Sequence, residues 1–474
     1  MKKIGIFFIG SALAVSSCTK DLTSLNRNPK AAEEVPSYTL FSNAQLNFAN
    51  NHASPSVFTN LWRLIAQQWA QTTYNTESNY DLGTNNLPQA WWHNMYRDVL
   101  KNLEESRKLI PNDVSDAEVR KNQIAIVEIM QVLTYHYIVS AFGNIPYTDA
   151  LKLDNVQPAY DDAAGVYANL LARLNTAINN LNTSAASFGS ADLLYKGDVA
   201  KWKKFANSFK IKMGMMMADY DANAAKAAVE QGAAGAFTSN SDNAMFKFLS
   251  TTPNTNPVWV NLVQSGRNDF VPASTLVNKM NSLSDPRLPL YFTKDASNNY
   301  SGGVIGENNT YANYSHFAPA ITVPDYPTWF MDYAEVEFLL AEAVERGFNV
   351  SGTAAEHYDK AITASILFWG GSQADANTYL ANAAVKYSSA TGTYKQKIGT
   401  QKWIALFERG FDAWTEFRRL DYPALVAPPT ALTPFPTRYT YPVSEQNLNR
   451  KSYNAASAAI GGDRVDVKLW FDKF

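Results

Sequence analysis

Cysteine is almost absent from this 474-residue sequence, and histidine is scarce. Because Cys18 is the only cysteine, no disulfide can form within the chain and no cluster of thiolates can hold a metal. The five histidines are scattered and never take the His-Glu-x-x-His spacing of zinc enzymes. No Asp-x-Asp-x-Asp-Gly loop is present to place a calcium ion. The sequence therefore indicates no metal site and no cofactor.

Charge is also modest. Asp, Glu, Lys and Arg make up 18% of the residues, the net charge is −2, and no block of Lys or Arg occurs. Such a chain offers no basic surface to the phosphates of a nucleic acid. The Gly-x-Ser-x-Gly elbow of hydrolases, the Gly-x-x-x-x-Gly-Lys phosphate loop and the Gly-x-Gly-x-x-Gly dinucleotide fingerprint are all missing. These absences argue against nucleic-acid binding and against several classes of enzyme.

The N-terminus has the pattern of an export signal. Lys2 and Lys3 precede an apolar stretch over residues 4–15, and small residues then lead to Cys18. The apolar stretch is shorter than the roughly 20 residues that span a bilayer, so we expect residues 1–17 to be a cleaved signal. No later stretch of the sequence is apolar enough to span a membrane.

The position of Cys18 carries a further expectation. Val15-Ser16-Ser17-Cys18 resembles the bacterial lipobox, in which the cysteine is lipidated and becomes the new N-terminus. Two or three acyl chains hold a protein stably at a membrane surface. Residues 18–36 are polar and read as a tether. We expect residues 37–474 to form a single domain behind this anchor.

Helical periodicity dominates that domain. Ile124, Val127, Met130, Leu133 and Tyr137 form one apolar stripe, and the helix should end at the Gly-Asn-Ile-Pro that follows residue 142. Short connections favour antiparallel helix pairs, so the sequence predicts a mainly α fold with little β-structure. The other predicted helices cover approximately 88–109, 160–181, 198–219, 331–346, 353–368, 374–385 and 395–419.

Two irregular regions are rich in aromatic residues. Residues 251–330 contain many prolines, which exclude long helices, and long irregular segments inside a domain are often functional. Residues 69–80 interleave rings with amide and hydroxyl groups. Aromatic rings can stack on the C–H faces of sugars while polar side chains bind their hydroxyls. The predicted ligand-binding residues are Trp69, Tyr74, Asn75, Asn79, Tyr80, Asn256, Trp259, Tyr311, Asn313, Tyr314 and Trp329, whereas the helical spacing of Trp91, Trp92 and Tyr96 favours the core.

Several segments, in this order, resemble the SusD/RagB family of outer-membrane lipoproteins, specifically its SusD-like branch. The matching segments are Phe142-Gly143-Asn144-Ile145-Pro146-Tyr147-Thr148-Asp149-Ala150-Leu151, Asp285-Pro286-Arg287-Leu288-Pro289, Tyr333-Ala334-Glu335-Val336-Glu337-Phe338-Leu339-Leu340-Ala341-Glu342-Ala343, Ala361-Ile362-Thr363-Ala364-Ser365 before Trp369-Gly370, Gln401-Lys402-Trp403-Ile404-Ala405-Leu406-Phe407, Ala413-Trp414-Thr415-Glu416-Phe417-Arg418-Arg419 and Arg438-Tyr439 before Tyr441-Pro442. They span nearly the whole mature chain.

This resemblance implies a SusD-like fold, in which four helix pairs of tetratricopeptide type form the scaffold for an irregular binding part. It implies a cell-surface protein, anchored by lipid in the outer membrane, that passes oligosaccharides to a SusC-like TonB-dependent β-barrel transporter. It also implies that the chain is not an enzyme. A bound calcium ion would be compatible with the family.

Two alternatives stay open from the residues alone. The same irregular surface would suit a peptide-binding lid of the same kind of transporter, since extended aromatic grooves also suit peptides. A surface glycoside hydrolase needs two carboxylates across a cleft. Glu335 and Glu342 share a helix face, but we expect them to form structural ion pairs with Arg409, Arg418 and Arg419.

Overall fold

Capping side chains set where the longer helices begin. Asp116 accepts hydrogen bonds from the backbone N–H groups of Glu118 and Val119, and Thr353 and Glu356 form a reciprocal capping box. Aspartates cap four more helices: Asp162, Asp198, Asp221 and Asp332. Each cap satisfies N–H groups that have no partner inside the helix, so it fixes the helix start.

The structure is a computed structural model that describes residues 34–473, and Ser37–Phe474 form one compact unit. The α-helices are α1 (Ser37–Ala53), α2 (Trp62–Ile65), α3 (Leu87–His93), α4 (Lys101–Asp113), α5 (Ala117–Phe142), α6 (Ala163–Asn180), α7 (Val199–Met217), α8 (Ala222–Ala233), α9 (Pro257–Trp259), α10 (Ser274–Leu283), α11 (Leu288–Tyr291), α12 (Tyr333–Glu345), α13 (Ala354–Phe368), α14 (Gln373–Ala381), α15 (Tyr394–Ala405), α16 (Gly410–Leu420), α17 (Val443–Leu448) and α18 (Arg450–Ala459). Two π-helical segments, Asn94–Leu100 and Val260–Gln264, continue α3 and α9.

Four pairs of helices form the scaffold: α1 with α4, α5 with α6, α7 with α8, and α12 with α13. Aromatic rings fill the space where they meet the C-terminal part of the chain. Trp62 stacks on Trp414 with ring centroids 4.8 Å apart, and Tyr137 stacks on Phe411 at 4.3 Å. The prediction of a mainly α scaffold built from helix pairs is confirmed.

The strands are short and form two-stranded antiparallel sheets. Strand β1 (Trp69–Gln71) pairs with β3 (Phe270–Pro272), and β2 (Met245–Phe246) pairs with β4 (Thr328–Trp329). The first sheet joins the two aromatic regions that the sequence singles out, because Ala70 lies opposite Val271. This pairing places residues 69–71 beside residues 270–272.

Most predicted helices are present, and one is wrong. The stretch 395–419 is two helices, α15 and α16, because Glu408 has a positive φ of 70° and interrupts the helix. The helix predicted over 374–385 ends at Ala381, and the one predicted over 88–109 passes through a π-helical segment and continues to Asp113. Region 251–330 contains α10 but no long helix, as predicted.

Helix α5 is long and apolar enough to cross a membrane by composition alone, so the expectation that no stretch after the signal is apolar enough was wrong. However, 89% of its most apolar window is buried inside the protein. In the predicted stripe Val127, Met130, Leu133 and Tyr137 are buried and Ile124 is half-buried. Helix α5 ends at Phe142, as predicted, and Gly143 follows with a φ of 85°. Helix α5 is therefore the central core helix of the scaffold.

The paired glutamates of α12 are held by buried arginines. An Arg409 guanidinium nitrogen lies 2.7 Å from the Glu335 carboxylate. Arg419 binds Glu342 through two parallel contacts of 2.5 Å, Nη1 to Oε1 and Nη2 to Oε2. The prediction that Arg418 also pairs with these glutamates is wrong, because Arg418 donates to the backbone carbonyls of Ser140 and Thr437. Both glutamates are buried in ion pairs, so neither is available to a glycan in solution.

The predicted signal sequence, Cys18 and residues 19–33 of the predicted tether lie outside the described residues. Their export and lipidation stay predictions.

Candidate functional site

The structure divides the predicted ligand-binding residues into a buried set and an exposed set. The buried set, with exposures of 0–7%, is Trp69, Asn79, Tyr80, Asn256 and Trp329. Tyr74 and Asn313 are exposed, and Asn75, Trp259, Tyr311 and Tyr314 are half-buried. A ring or amide with almost no exposed surface cannot contact a ligand in this conformation. The predicted ligand contacts of the buried set are therefore corrected to supporting roles.

Two buried tryptophans, Trp69 and Trp329, anchor strands. The indole N–H of Trp69 donates to the Glu408 carboxylate at 3.1 Å, and its ring packs on Phe317 at 4.0 Å between centroids. The indole N–H of Trp329 donates to Asp332, also at 3.1 Å. Because each indole N–H is satisfied inside the protein, these rings position backbone and do not stack on a ligand.

The side chains of the buried residues Tyr80, Asn79 and Asn256 also form hydrogen bonds inside the protein, and these hold loops in place. Burial raises the pKa of Tyr80 to about 12, and its hydroxyl accepts a hydrogen bond from Gln67. The Asn256 side chain caps α9 by accepting from Val258 N–H, and it donates to the Tyr326 carbonyl.

Backbone hydrogen bonds bring three aromatic-bearing segments side by side. Thr72 N–H donates to the Asp269 carbonyl at 3.0 Å, and the Thr72 hydroxyl donates to Asn268 at 2.6 Å. On the other side, Asn309 N–H donates to the Thr72 carbonyl at 2.8 Å, and the Asn309 amide donates to the Gln71 carbonyl. The chain after β1, the chain before β3 and the 309–316 turn therefore share one edge.

One arginine and four exposed or half-buried rings lie along this edge. We call this surface the aromatic platform and define it by Tyr74, Arg267, Tyr311, Tyr314 and His316. Tyr74 is 65% exposed, and the Arg267 guanidinium lies 5.9 Å from its ring centroid. Tyr311 stacks on His316 at 3.9 Å with an angle of 10° between the planes. Tyr311 and Tyr314 both pack against a small apolar cluster that contains Ala70 and Val271. The platform thus has a rigid base.

An asparagine-held loop borders the platform. The side-chain amides of Asn75 and Asn79 each donate to the Gly306 carbonyl at 2.9 Å, and the Thr430 hydroxyl donates to Asn79 Oδ1 at 2.6 Å. Gly306 has a φ of 82°, and a Cβ there would lie 2.7 Å from Asn79 and from Pro428. Only glycine fits at position 306, where the chain passes this close to Asn79 and Pro428. Because their side-chain amides bind the Gly306 carbonyl, Asn75 and Asn79 hold the loop in place.

The loop of residues 424–433 completes this border, and the sequence reasoning missed it. Val426 and Leu432 are among its most exposed side chains. The Val426 carbonyl accepts a hydrogen bond from Gln67, and Leu432 N–H donates to the Asn79 carbonyl. Arg267 and His316 were missed as well. Two signals in the sequence could have indicated them: His316 stands only two positions after Tyr314, and Pro428-Pro429 is typical of a loop.

The platform carries little net charge. Arg267 is paired with Asp269 at 2.6 Å, which raises the pKa of the guanidinium, and burial raises the pKa of Tyr311. At neutral pH Tyr311 is therefore an uncharged phenol that can donate and accept hydrogen bonds. Flat rings with neutral hydroxyls and one paired arginine suit an uncharged, hydroxyl-rich ligand.

Trp259 is not part of this arrangement. It lies at the end of α9, and within residues 34–473 no hydrogen bond or ring contact joins it to Tyr74, Tyr311 or Tyr314. Asn313 lies on the platform turn and is exposed to solvent. Across the same residues, no group of three or more His, Cys, Asp or Glu side chains is placed to hold a metal ion.

Comparison with protein families assigns the chain to a known group. The model of a SusD-like family, described as starch-binding and associating with the outer membrane, matches residues 29–442. The chain belongs to this SusD-like family. The sequence-based resemblance is thereby confirmed, together with the SusD-like fold, and the family description points to association with the outer membrane.

Solved structures of SusD-like proteins share this fold over almost their whole length. A chitin-binding protein has a TM-score of 0.81 and 26% identity, covering 92% of this chain and 100% of its own. A SusD homologue from Bacteroides uniformis has a TM-score of 0.79, 26% identity and coverage of 92% and 99%. A chitin-binding SusD homologue from Flavobacterium johnsoniae has a TM-score of 0.78, 25% identity and the same coverage. The comparison with curated protein sequences gives no match.

Proposed function

We propose that this SusD-like protein captures oligosaccharides on the aromatic platform and delivers them to a SusC-like TonB-dependent transporter in the outer membrane. The observation that carries the proposal is the open ring surface of Tyr74, Tyr311 and Tyr314 on a base held by β1 and β3. Sugar rings bury their C–H faces on such phenols, and neighbouring hydroxyl and amide groups bind their oxygens. Binding alone is needed for this role, without catalysis.

Chitin oligosaccharides are the first ligands to test, because two similar structures are described as chitin-binding. An N-acetyl group adds a methyl that packs on rings and a carbonyl that accepts hydrogen bonds. The exposed Asn313 amide and the Tyr311 hydroxyl are suitable donors at the platform. Starch-type oligosaccharides are the second choice, since the family description names starch.

Isothermal titration calorimetry with the mature protein tests the proposal. We expect heat on titration with chitin or starch oligosaccharides, and about tenfold weaker affinity in Tyr74→Ala and Tyr311→Ala, as for truncation of a central contact ring. Tyr38→Ala is the matched control, because Tyr38 is a half-exposed tyrosine on α1, away from the platform. If both platform variants bind as tightly as the control, the platform is not the site.

Two alternative functions are tested in the same way: binding of a peptide and hydrolysis of a glycan. A peptide pool that raises the melting temperature while every oligosaccharide fails would replace the glycan by a peptide. Release of shorter sugars on prolonged incubation would indicate a hydrolase. Glu335 and Glu342 are buried in ion pairs, so a hydrolase would need other carboxylates.

The membrane anchor and the transporter form the second half of the proposal. The lipobox-like residues before Cys18 support lipidation, and the outer-membrane description of the family supports the location. Metabolic labelling with a palmitate analogue should mark the wild-type chain and not Cys18→Ser. Affinity purification of the lipidated protein from the native outer membrane should recover a TonB-dependent β-barrel. Recovery of the chain without any barrel protein would contradict the partnership.

A further inference from the structure

A second pocket lies at the opposite end of the loop that borders the platform. Its walls come from α10, α13, α15, the segment 384–392 and residues 422–424, which lead into the loop of residues 424–433. Its volume is about 560 Å³, which is the size range of small-ligand sites. We call it the α15 pocket and define it by Lys279, Leu283, Tyr358, Ala390, Gln396, Lys397, Thr400 and Tyr422.

The shape of this pocket is fixed by close packing. A Cβ at Gly399 would lie 2.8 Å from the Tyr422 carbonyl oxygen, so α15 and the loop touch at that point. Tyr358 is buried, and its hydroxyl donates to the Val385 carbonyl at 2.9 Å, which holds the segment 384–392. The walls are therefore set before any ligand arrives.

The charges in the pocket are unbalanced. Its lining contains Lys279 and Lys397 but no carboxylate. Among the described residues neither lysine forms a salt bridge, and Lys397 donates only to the Tyr387 carbonyl, at 2.9 Å, with its nitrogen 5.1 Å from the Tyr387 ring centroid. The nearby carboxylate of Glu345 instead accepts a hydrogen bond from the Tyr387 hydroxyl. Two cations thus share a concave site without a counter-charge.

Neutral donors accompany the two lysines. The Gln396 side-chain oxygen accepts a hydrogen bond from Thr393 N–H as part of the α15 cap, which leaves the amide group as a donor. Within residues 34–473 this amide and the Thr400 hydroxyl have no hydrogen-bond partner. Two lysines and two neutral groups able to donate, with no carboxylate in the lining, favour an oxygen-rich anion.

A larger pocket on the scaffold shows the contrast. It has a volume of about 820 Å³ and is lined by residues of α4, α5 and α6. Its cations are already paired: Arg107 with Glu104, Arg173 with Glu128, and Lys152 with Asp149. It therefore offers no free positive charge, whereas the α15 pocket does.

We propose that the α15 pocket binds a small ligand bearing a carboxylate, sulfate or phosphate group, with Lys279, Lys397, Gln396 and Thr400 as donors to the oxyanion. An acidic sugar and a free inorganic anion share this chemistry. The pocket is separate from the aromatic platform, so the inference does not rest on the proposed capture of oligosaccharides.

Calorimetry at low ionic strength tests the inference with sodium glucuronate, sodium sulfate, sodium phosphate and uncharged glucose. We expect heat with at least one anion and none with glucose, and weaker binding as salt is added. Binding of glucuronate alone identifies an acidic sugar site, and binding of sulfate or phosphate as well identifies a general oxyanion site. Absence of heat with every anion overturns the inference.

Variants locate the binding. Lys279→Met and Lys397→Met should each weaken it about tenfold through loss of a charge-assisted hydrogen bond. Lys451→Met makes the same change of charge on the exposed face of α18 and should leave affinity unchanged. Ala390→Trp should obstruct the pocket without altering charge. Equal binding by Ala390→Trp and wild type, or equal weakening by the Lys451 control, overturns the assignment.

Discussion

The ammonium nitrogen of Lys212 lies 2.9 Å from the Glu335 carboxylate, with both side chains fully buried. Lys212 stands on α7 and Glu335 on α12, and the same ammonium also contacts Asp412 on α16. Taking charges out of water is costly, so each one depends on its partners. This cluster joins three helices that lie far apart in the sequence.

Lys212→Met should lower the free energy of unfolding by about 3–5 kcal/mol, because Glu335 and Asp412 would lose a buried counter-charge. Chemical denaturation followed by circular dichroism measures this change. Lys226→Met is the control, since its exposed pair with Glu230 is 3.8 Å long and should contribute less than about 1 kcal/mol. Equal losses in both variants would show that burial of the pair does not matter.

Stability should also fall in acid through Glu416. Burial alone would raise the pKa of this carboxyl, but Arg419 and Lys402 hold it at about 2, below its ordinary 4.5. Since the folded pKa is the lower one, Glu416 contributes stability above about pH 4.5 and loses it as pH falls towards 2.

The slope of unfolding free energy against pH across that window tests the assignment. Glu416→Gln should flatten it, whereas Glu307→Gln, an exposed change of the same kind, should leave it as in wild type. An unchanged slope in Glu416→Gln would mean that the carboxyl does not ionise as described.

Trp69 and Tyr74 should respond differently to mutation although they stand five residues apart. Trp69→Phe removes the indole N–H that donates to Glu408, a carboxyl whose pKa burial raises. We expect a loss of about 1–3 kcal/mol in stability, because the buried Oε1 of Glu408 loses its donor while Arg63 continues to bind Oε2. Tyr74→Ala should leave the melting temperature unchanged and reduce ligand affinity. The reverse result, with binding lost and stability kept in Trp69→Phe, would restore Trp69 as a ligand contact.

Gly306→Ala should disturb the border of the platform. The added Cβ would meet Asn79 and Pro428 at 2.7 Å, in addition to the strain of about 1 kcal/mol for a left-handed residue. We expect lower oligosaccharide affinity together with lower stability. Gly370→Ala carries the same left-handed strain with no atom within 4 Å, so it should lose stability without losing affinity. Equal oligosaccharide affinity in the two variants would show that the loop around Gly306 does not contribute to ligand binding.

The scaffold was predictable because its signals are local. Helix α5 is an example: Asp116 caps its start, the apolar stripe runs along it, and Gly143 follows its last residue. The break between α15 and α16 was not, because the positive φ of Glu408 is stabilised from afar. Its side chain accepts hydrogen bonds from Arg63 and Trp69, more than 300 positions earlier in the chain.

The candidate site was predictable as two segments but not residue by residue. Composition identifies aromatic rings in irregular regions, yet it does not say which face of a short strand they occupy. Trp69 turns inwards because a buried carboxylate receives its N–H, and Tyr74 stays outside beyond the end of β1. Arg267 joins Tyr74 only through the pairing of β1 with β3, which no local pattern specifies.

The bond from Thr430 to Asn79 spans 351 positions, and it closes the border of the platform from the C-terminal side. The bond from Trp69 to Glu408 spans 339. An N-terminal fragment therefore carries Tyr74, Tyr311 and His316 but lacks the residues that hold their base in place. During synthesis and export, sugar recognition should emerge in a single late step, when about the last seventh of the polypeptide, from Glu408 onward, packs against the rest.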